Sequence, residues 1–310
     1  MQERGKKGNM WELIPFMLER IGIIVMIAFL ITRLKAFRQA VQNHADVKGK
    51  ITMMVIFGLF GILCTYTGVI VSGDRIVTSH WFTDVGPADH AIANSRNVSM
   101  VMAGLLGGPA VGIGAGLIAG THRYFMGGFT AFSCAVSAVA GGFVAGMLRN
   151  RLQGIERVSP LLTFFIGMGI ETMQMLIILG LAKPFSQALK LVEQIGPPMI
   201  LFNGLGIWIF VLIIRSVLRE EERTKALQTQ KALFIADQTL PFFRQGLSVQ
   251  SSRKAAEIIR ELTGADAISV TDRNKVLAHV GEGHDHHIAL QPVSTETTKK
   301  VLQQGQIAVA

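Results

Sequence analysis

Charge is scarce in this chain. Of 310 residues only 16% are Asp, Glu, Lys or Arg, half are hydrophobic, and the mean hydropathy is +0.42. That balance lies outside the usual range for a soluble domain of this length. Cysteine is scarcer still. Cys64 and Cys134 both fall inside apolar segments, which does not suggest a disulfide scaffold. Basic residues outnumber acidic ones, 30 to 21, for a net charge of +9. They sit mostly in short loops beside apolar segments, and neither a basic groove nor a recognition motif is visible, so nucleic acid is not an expected partner. The first apolar run has no small-residue cleavage site and is long enough to span, so no signal peptide is expected. No phosphate-cradling Gly loop is present, and no nucleophile, base and orienting residue fall at a catalytic spacing. No catalytic residue and no cofactor are therefore expected.

What the chain does have is membrane-length apolar sequence. Six stretches stand out, at roughly 10–32, 51–72, 98–120, 124–148, 160–181 and 197–218, against the roughly 20 residues a bilayer crossing needs. The stretch from 98 to 148 is the most informative. It is Gly-rich, with Gly104, Gly107, Gly108, Gly112, Gly114, Gly116 and Gly120 around Pro109, and it is broken by His122 and Arg123. An always-charged arginine between two apolar segments is costly and usually marks a site.

After Leu218 the character changes. Residues 219–246 are highly charged and helix-forming, and they read as an amphipathic connector that stops before Pro241. From about Leu247 a small soluble module begins. A helix capped by serines ends at Gly264, and alternating residues on both sides of Asp272-Arg273-Asn274 predict a β-hairpin. The closing GQIAVA reads as the start of another strand. The expected architecture is a polytopic α-helical membrane domain over 1–218 with broken, Gly-rich helices, the connector over 219–246, and a partial α+β module over 247–310.

Orientation follows from the basic residues. Arg33, Lys35, Arg38, Lys48 and Lys50 place the first loop inside, as Arg149, Arg151 and Arg157 do for a later one and Arg215, Arg219, Arg223 and Lys225 for the end of the last span. The loop holding Asp74, Asp84 and Asp89 has few basic residues and fits the outside. Getting from outside near residue 90 to inside near residue 150 needs an odd number of crossings, yet two complete spans give an even number. A break at Gly107-Gly108-Pro109 is one way out, and half-helices meeting there would present backbone amides to an anion. The spacing Gly108, Gly112, Gly116 also suits simple close packing of helices.

Arg96 follows Asn94 and Ser95 just before the third apolar stretch, and Arg123 closes it. If the segment between doubles back, two planar donor forks converge on one anion, which suits a small carboxylate. The alternative is that each arginine snorkels to its nearest interface. Cys134 and Ser137, three apart and one turn beyond Arg123, complete a pocket on the first reading and simply pack on the second. Glu171 and Gln174 repeat the spacing in the fifth stretch, where a carboxyl should face inward and find a partner, an arginine among the candidates. His284-Asp285-His286-His287 offers metal-binding types, but consecutive histidines seldom converge on one ion and no cysteine pair supports them, so no metal is expected.

With these features in order, the chain resembles the LytS-type sensor histidine kinases over nearly its whole length. The segments 94–96, 103–137 and Glu171-Thr172-Met173-Gln174-Met175 are similar to the family's five-transmembrane LYT receptor domain. Residues 228–247 and the TGADAISVTDRNKVLAHVGEGHDHH segment resemble its connector and the opening of its cytoplasmic GAF domain. The resemblance implies a multi-pass protein of the bacterial cell membrane, with the soluble module cytoplasmic. It also implies a receptor for small extracellular metabolites, pyruvate favoured, with a role in murein hydrolase activity, autolysis and carbon-source responses. The family's proposed pyruvate contacts fall on Arg96, Arg123, Cys134 and Ser137; Asn94 and Glu171 are candidate supporting residues, Glu171 as structural coupling more than as a ligand contact. Partners so implied are a second copy of the chain and a cognate response regulator. No phosphoacceptor or ATP-binding region precedes Ala310, so ATP is expected only for a kinase domain lying beyond it, and the chain as written senses without phosphorylating. Two other classes stay open: a small-solute membrane carrier, which the soluble tail disfavours, and a membrane interaction protein whose arginines are anchors.

Overall fold

The computed structural model describes residues 13–42, 46–72, 75–77, 90–152, 158–283 and 288–307. The chain divides into two units, Met1–Arg219 and Glu220–Ala310. The first is a helical bundle. Its elements are α1 (Leu13–Arg33), α2 (Lys35–Gln42), α3 (Val47–Tyr66), a small sheet, α4 (Arg96–Gly107), α5 (Pro109–Phe125), α6 (Ala131–Arg151), α7 (Pro160–Leu181) and α8 (Phe185–Arg244). The sheet holds β1 (Val69–Ser72), β2 (Arg75–Val77) and β3 (His90–Ala93), antiparallel in the order β2-β1-β3. Among the described residues five helices, α1, α3, α6, α7 and α8, are long and apolar enough to cross a membrane. The chain is a multi-pass α-helical membrane protein.

The third apolar stretch is not one span. It splits at Gly107-Gly108 into α4 and α5, with Gly108 at φ +85° and ψ −176°, a backbone state that side chains rarely adopt. Pro109 then opens α5 where its missing donor costs nothing. α4 runs alongside α6 in the same direction: Arg96 meets Cys134, Gly104 faces 142–146, and Gly108 lies beside Arg149. α5 returns antiparallel, Gly112 against Gly142 and Gly120 against Ala135. α4 (12 residues) and α5 (17 residues) therefore run in and back, leaving α6 as the full-length span between residue 90 and residue 150, an odd count as the basic loops demand.

Close helix packing replaces hydrophobic driving force inside a bilayer. At Gly112 and Gly142 the two backbones touch, so a Cβ on either would collide with the other chain. All twelve residues of α4 are buried, and Phe57, Phe60 and Phe210 stack beside it to join α3 and α8.

Two boundaries differ from the sequence reading. The last apolar stretch and the connector are one helix, α8, which starts at Phe185 rather than near 197 and runs through Pro197 and Pro198. Buried Ile195 and Met199 show that this part is packed among neighbours, where missing donors are tolerated. Nor does the helix stop before Pro241. It continues to Arg244, because a proline in the last turn removes a single donor.

In the second unit α9 (Val249–Thr263) opens on a capping box between Ser248 and Ser251 and ends at Gly264 in the left-handed region. Its buried Ala255 and Ala256 mark the face that packs on the hairpin β4 (Ala267–Thr271) and β5 (Val276–Gly281). Between the strands Asp272 accepts the backbone N–H groups of Asn274 and Lys275 at 2.7 and 2.6 Å, which hold its carboxyl below the usual range. α10 (Glu296–Gln304) follows, capped by Gly305. The arrangement is consistent with a partial GAF-like fold. The strand expected of GQIAVA does not begin by Ile307, and residues 308–310 lie outside the described residues.

Candidate functional site

The site is built at the start of α4. β3 delivers the chain to Asn94, whose Oδ1 accepts the backbone N–H of Arg96 at 3.2 Å. Two distant side chains hold the same strand end. Arg20 of α1 donates from Nε to the Thr67 carbonyl at 2.8 Å and from Nη1 to the Ala93 carbonyl at 3.1 Å. Asn203 of α8 donates from Nδ2 to the Asn94 carbonyl at 3.4 Å. Arg96 is thereby fixed with 1% of its surface exposed.

Its guanidinium donates from Nη2 to the Cys134 carbonyl at 3.1 Å, an oxygen that also accepts the Ser137 hydroxyl at 3.0 Å. Three of the four expected site residues thus meet at one atom. Arg123, fully buried, lies at the end of α5. It donates from Nη1 to the Gly127 carbonyl at 2.6 Å and from Nη2 to Thr130 Oγ1 at 3.1 Å. It braces the α5–α6 turn, so Cys134 and Ser137 belong to the next helix rather than to a continuation of Arg123's own. Thr130, which Arg123 holds, lies one turn before Cys134, whose carbonyl Arg96 holds, so both arginines grip the same end of α6.

Arg96 Nε and Nη1 and Arg123 Nε are buried without a hydrogen-bond partner among the described residues. An unpaired buried donor on a charged group carries its full desolvation cost. The starts of α4 and α6 lie at the same place, and the positive ends of both helix dipoles add to the potential there. The break at Gly108 does not contribute. It lies at the far end of α4, about 18 Å away by the helix rise, beside Arg149, so its amides face away from the arginine pair.

Glu171 is fully buried, and its partners are amides rather than an arginine. Asn97 Nδ2 donates to Oε2 at 2.9 Å and Gln174 Nε2 to Oε1 at 3.3 Å, while Arg96 acts on it only through space. Gln174 Oε1 accepts the Ser137 hydroxyl at 3.1 Å, so one polar network joins α4, α6 and α7. Arg20, Asn97 and Asn203 were not legible as members. A polar residue inside an apolar run, as Arg20 and Asn203 are, was the available signal. The groove between α5 and α6, lined by Leu117, Tyr124, Phe132 and Phe143, is apolar and offers no charged group. No cluster of three or more metal-ligating side chains occurs among the described residues, and His284 to His287 lie outside them.

Comparison with known proteins addresses what such a site belongs to. Residues 34–217 match the family model described as 5TMR of 5TMR-LYT. The chain belongs to the 5TMR-LYT family. It is 48% identical to the sensor protein LytS of Bacillus subtilis over 302 residues, 97% of this chain and 51% of that protein. Identity to the LytS sensor proteins of Bacillus anthracis and Enterococcus faecalis is 40% and 38%, again over 97% of this chain and 51% of each relative. The chain therefore spans about half the length of the curated relatives it matches. No solved structure matches it. A LytS-family membrane sensor places its soluble module in the cytoplasm, and a general role in signal transduction follows.

Proposed function

We propose that this chain is the sensory input portion of a two-component membrane histidine kinase, and that Arg96 and Arg123 hold a small carboxylate, pyruvate favoured, with Cys134 and Ser137 completing the pocket. The observation that carries the reading is the trio of buried, unpartnered guanidinium nitrogens. A carboxylate offers the acceptors those donors lack, in the planar geometry a guanidinium fork prefers. Asn94 fixes the backbone at Arg96, and Glu171 ties the pocket to α7.

Occupancy alters signalling only by favouring one of two packings. α8 is the element suited to carry the change. Asn203 touches the strand end before Arg96, and the same helix continues past Arg219 into the connector. The output we infer is control of a kinase domain, a cognate response regulator, and through them autolysis or carbon-source responses. The module after the connector serves as the opening of a GAF domain. A carrier would have little use for a helix continuous from binding site to sensory module.

The test is pyruvate binding to the purified, detergent-solubilised chain, with lactate and acetate as comparators. Saturable binding is expected, weakened about 10- to 100-fold or lost in Arg96→Ala and Arg123→Ala, since each removes a charged, hydrogen-bonded partner. Unchanged affinity in both variants would sink the pocket.

A further inference from the structure

Ser137 has one proton and two acceptors within reach. Its hydroxyl lies 3.0 Å from the Cys134 carbonyl and 3.1 Å from Gln174 Oε1. A carbonyl oxygen offers two lone pairs, and that of Cys134 already takes Arg96 Nη2 and the helical N–H ladder of α6. The Ser137 proton is therefore best placed on Gln174, a buried side chain of α7 whose Nε2 turns the other way, toward Glu171 Oε1 at 3.3 Å. Among the described residues Ser137 is the one donor to Gln174 Oε1. The bond clasps α6 to α7, and α7 in turn lies hard against α8. A Cβ on Gly167, two turns before Gln174, would stand 3.0 Å from the Gly204 backbone, and one on Gly204 would stand 3.1 Å from the Phe164 carbonyl. Met175 and Ile178 also share a buried cluster with Ile195 and Met199 of α8.

We infer that Gln174 competes with the bound anion for the Ser137 hydroxyl, so that filling the pocket unclasps α7 from α6. The inference rests on the carboxylate reading of the arginine pair, with Ser137 as a contact. It supplies the step by which occupancy favours one of two packings. A carboxylate beside Ser137 is the stronger acceptor, because a hydrogen bond to a charged group outweighs one to a neutral amide. Once the proton turns to the ligand, Gln174 Oε1 is left buried without a donor, which favours a re-seated α7. With Gly167 and Gly204 at backbone contact, α7 does not shift without α8. Gln174 touches no ligand on this reading. It is a positioning residue that acts through Ser137.

Pyruvate affinity is measured on the purified full chain and on Gln174→Met, Ser137→Ala and the double variant, each checked by thermal unfolding in detergent. Methionine keeps the reach of the glutamine and removes its amide. Gln174→Met is expected to tighten pyruvate binding about three- to tenfold, the equivalent of one neutral hydrogen bond that no longer competes. The same substitution should change nothing where Ser137 is already alanine. Fluorine NMR of the chain labelled with fluorotryptophan gives a second readout. Trp208 stands one turn beyond Gly204 on α8, and pyruvate is expected to move its signal in the wild type. Gln174→Met and Ser137→Ala should each set that signal near the pyruvate position with no ligand present. An affinity weakened or unmoved in a folded Gln174→Met protein overturns the inference. So does a change of the same size with and without Ser137, or a Trp208 signal that neither pyruvate nor the variants move. If Gln174→Met does not fold, or Ser137→Ala binds too weakly to measure, the unliganded Ser137→Ala protein decides: a Trp208 signal left at the wild-type position overturns the inference. No pyruvate binding by the wild-type chain, or binding indifferent to Arg96→Ala and Arg123→Ala, brings down the arginine-pair reading and this inference with it.

Discussion

Arg20 shows how a residue can shape the site without facing it. Its two donors reach carbonyls 47 and 73 positions away, at the ends of α3 and β3, and so hold the strand that presents Arg96. Arg20→Ala leaves both carbonyls short of a donor within the bundle and should cost about 1–3 kcal/mol of stability. Pyruvate affinity should fall as well, because Arg96 loses its fixed approach. Arg20→Lys should recover little, since an ammonium lacks the fork that spans two carbonyls. Thermal unfolding in detergent and a binding isotherm check both, and an Arg20→Ala protein with native melting and native affinity would contradict the role. Arg96 and Arg123 were legible because a guanidinium in or beside an apolar run is anomalous on its face. Arg20 lies in an apolar run too, but its role does not show there, because it lies in two carbonyls that no local pattern connects to it. Asn203 was hidden for the same reason, with its partner 109 residues away.

The elements were legible where chain chemistry is local. The Ser248 cap, the Gly264 stop and the hairpin around Asp272 all follow from neighbouring residues, and the break in the third stretch follows from Gly107-Gly108-Pro109. What local sequence did not carry was that the start of α6 meets Arg96 while the Gly108 break lies beside Arg149, since that depends on how α4 lies along α6. The full length of α8 was not legible because the apolar stretch begins only near 197 and Pro241 reads as a stop, while packing in the bundle tolerates the prolines at 197 and 198. Glycine has a sharper test. Gly112→Val places a side chain in the backbone of α6 at Gly142 and should destabilise the bundle by about 1–3 kcal/mol or more, as overpacking does. Gly169→Ala in α7, with open space around it, should melt as the wild type does or slightly higher. Equal melting of the two variants would remove the α5–α6 contact from the account of stability.

At the scale of the molecule, orientation and output are matters of where charge and apolar surface are distributed. The basic residues at the ends of α1 and α6 and along α8 mark the inside, and the α4–α5 pair, running in and back before α6 crosses, makes that count consistent. Beyond Arg219, α8 carries an exposed stripe. Ala226, Leu233 and Leu240 repeat every seven residues, as do Thr229, Ala236 and Phe243 three positions later, and Leu233 and Leu240 are 67% and 44% exposed. That is the spacing of a two-helix seam, ragged at Thr229, and we propose that it pairs with the same helix of a second copy, the partner that the family resemblance implies. A lysine on such a seam faces a lysine on its partner, so the cost is charged twice in every dimer. Leu233→Lys with Leu240→Lys should therefore shift the purified chain from dimer toward monomer in multi-angle light scattering, while leaving pyruvate affinity within about twofold, because the substitutions lie in the second unit and the arginine pair in the first. A double variant that stays dimeric at the same concentration would move the subunit contact away from the connector and into the membrane helices.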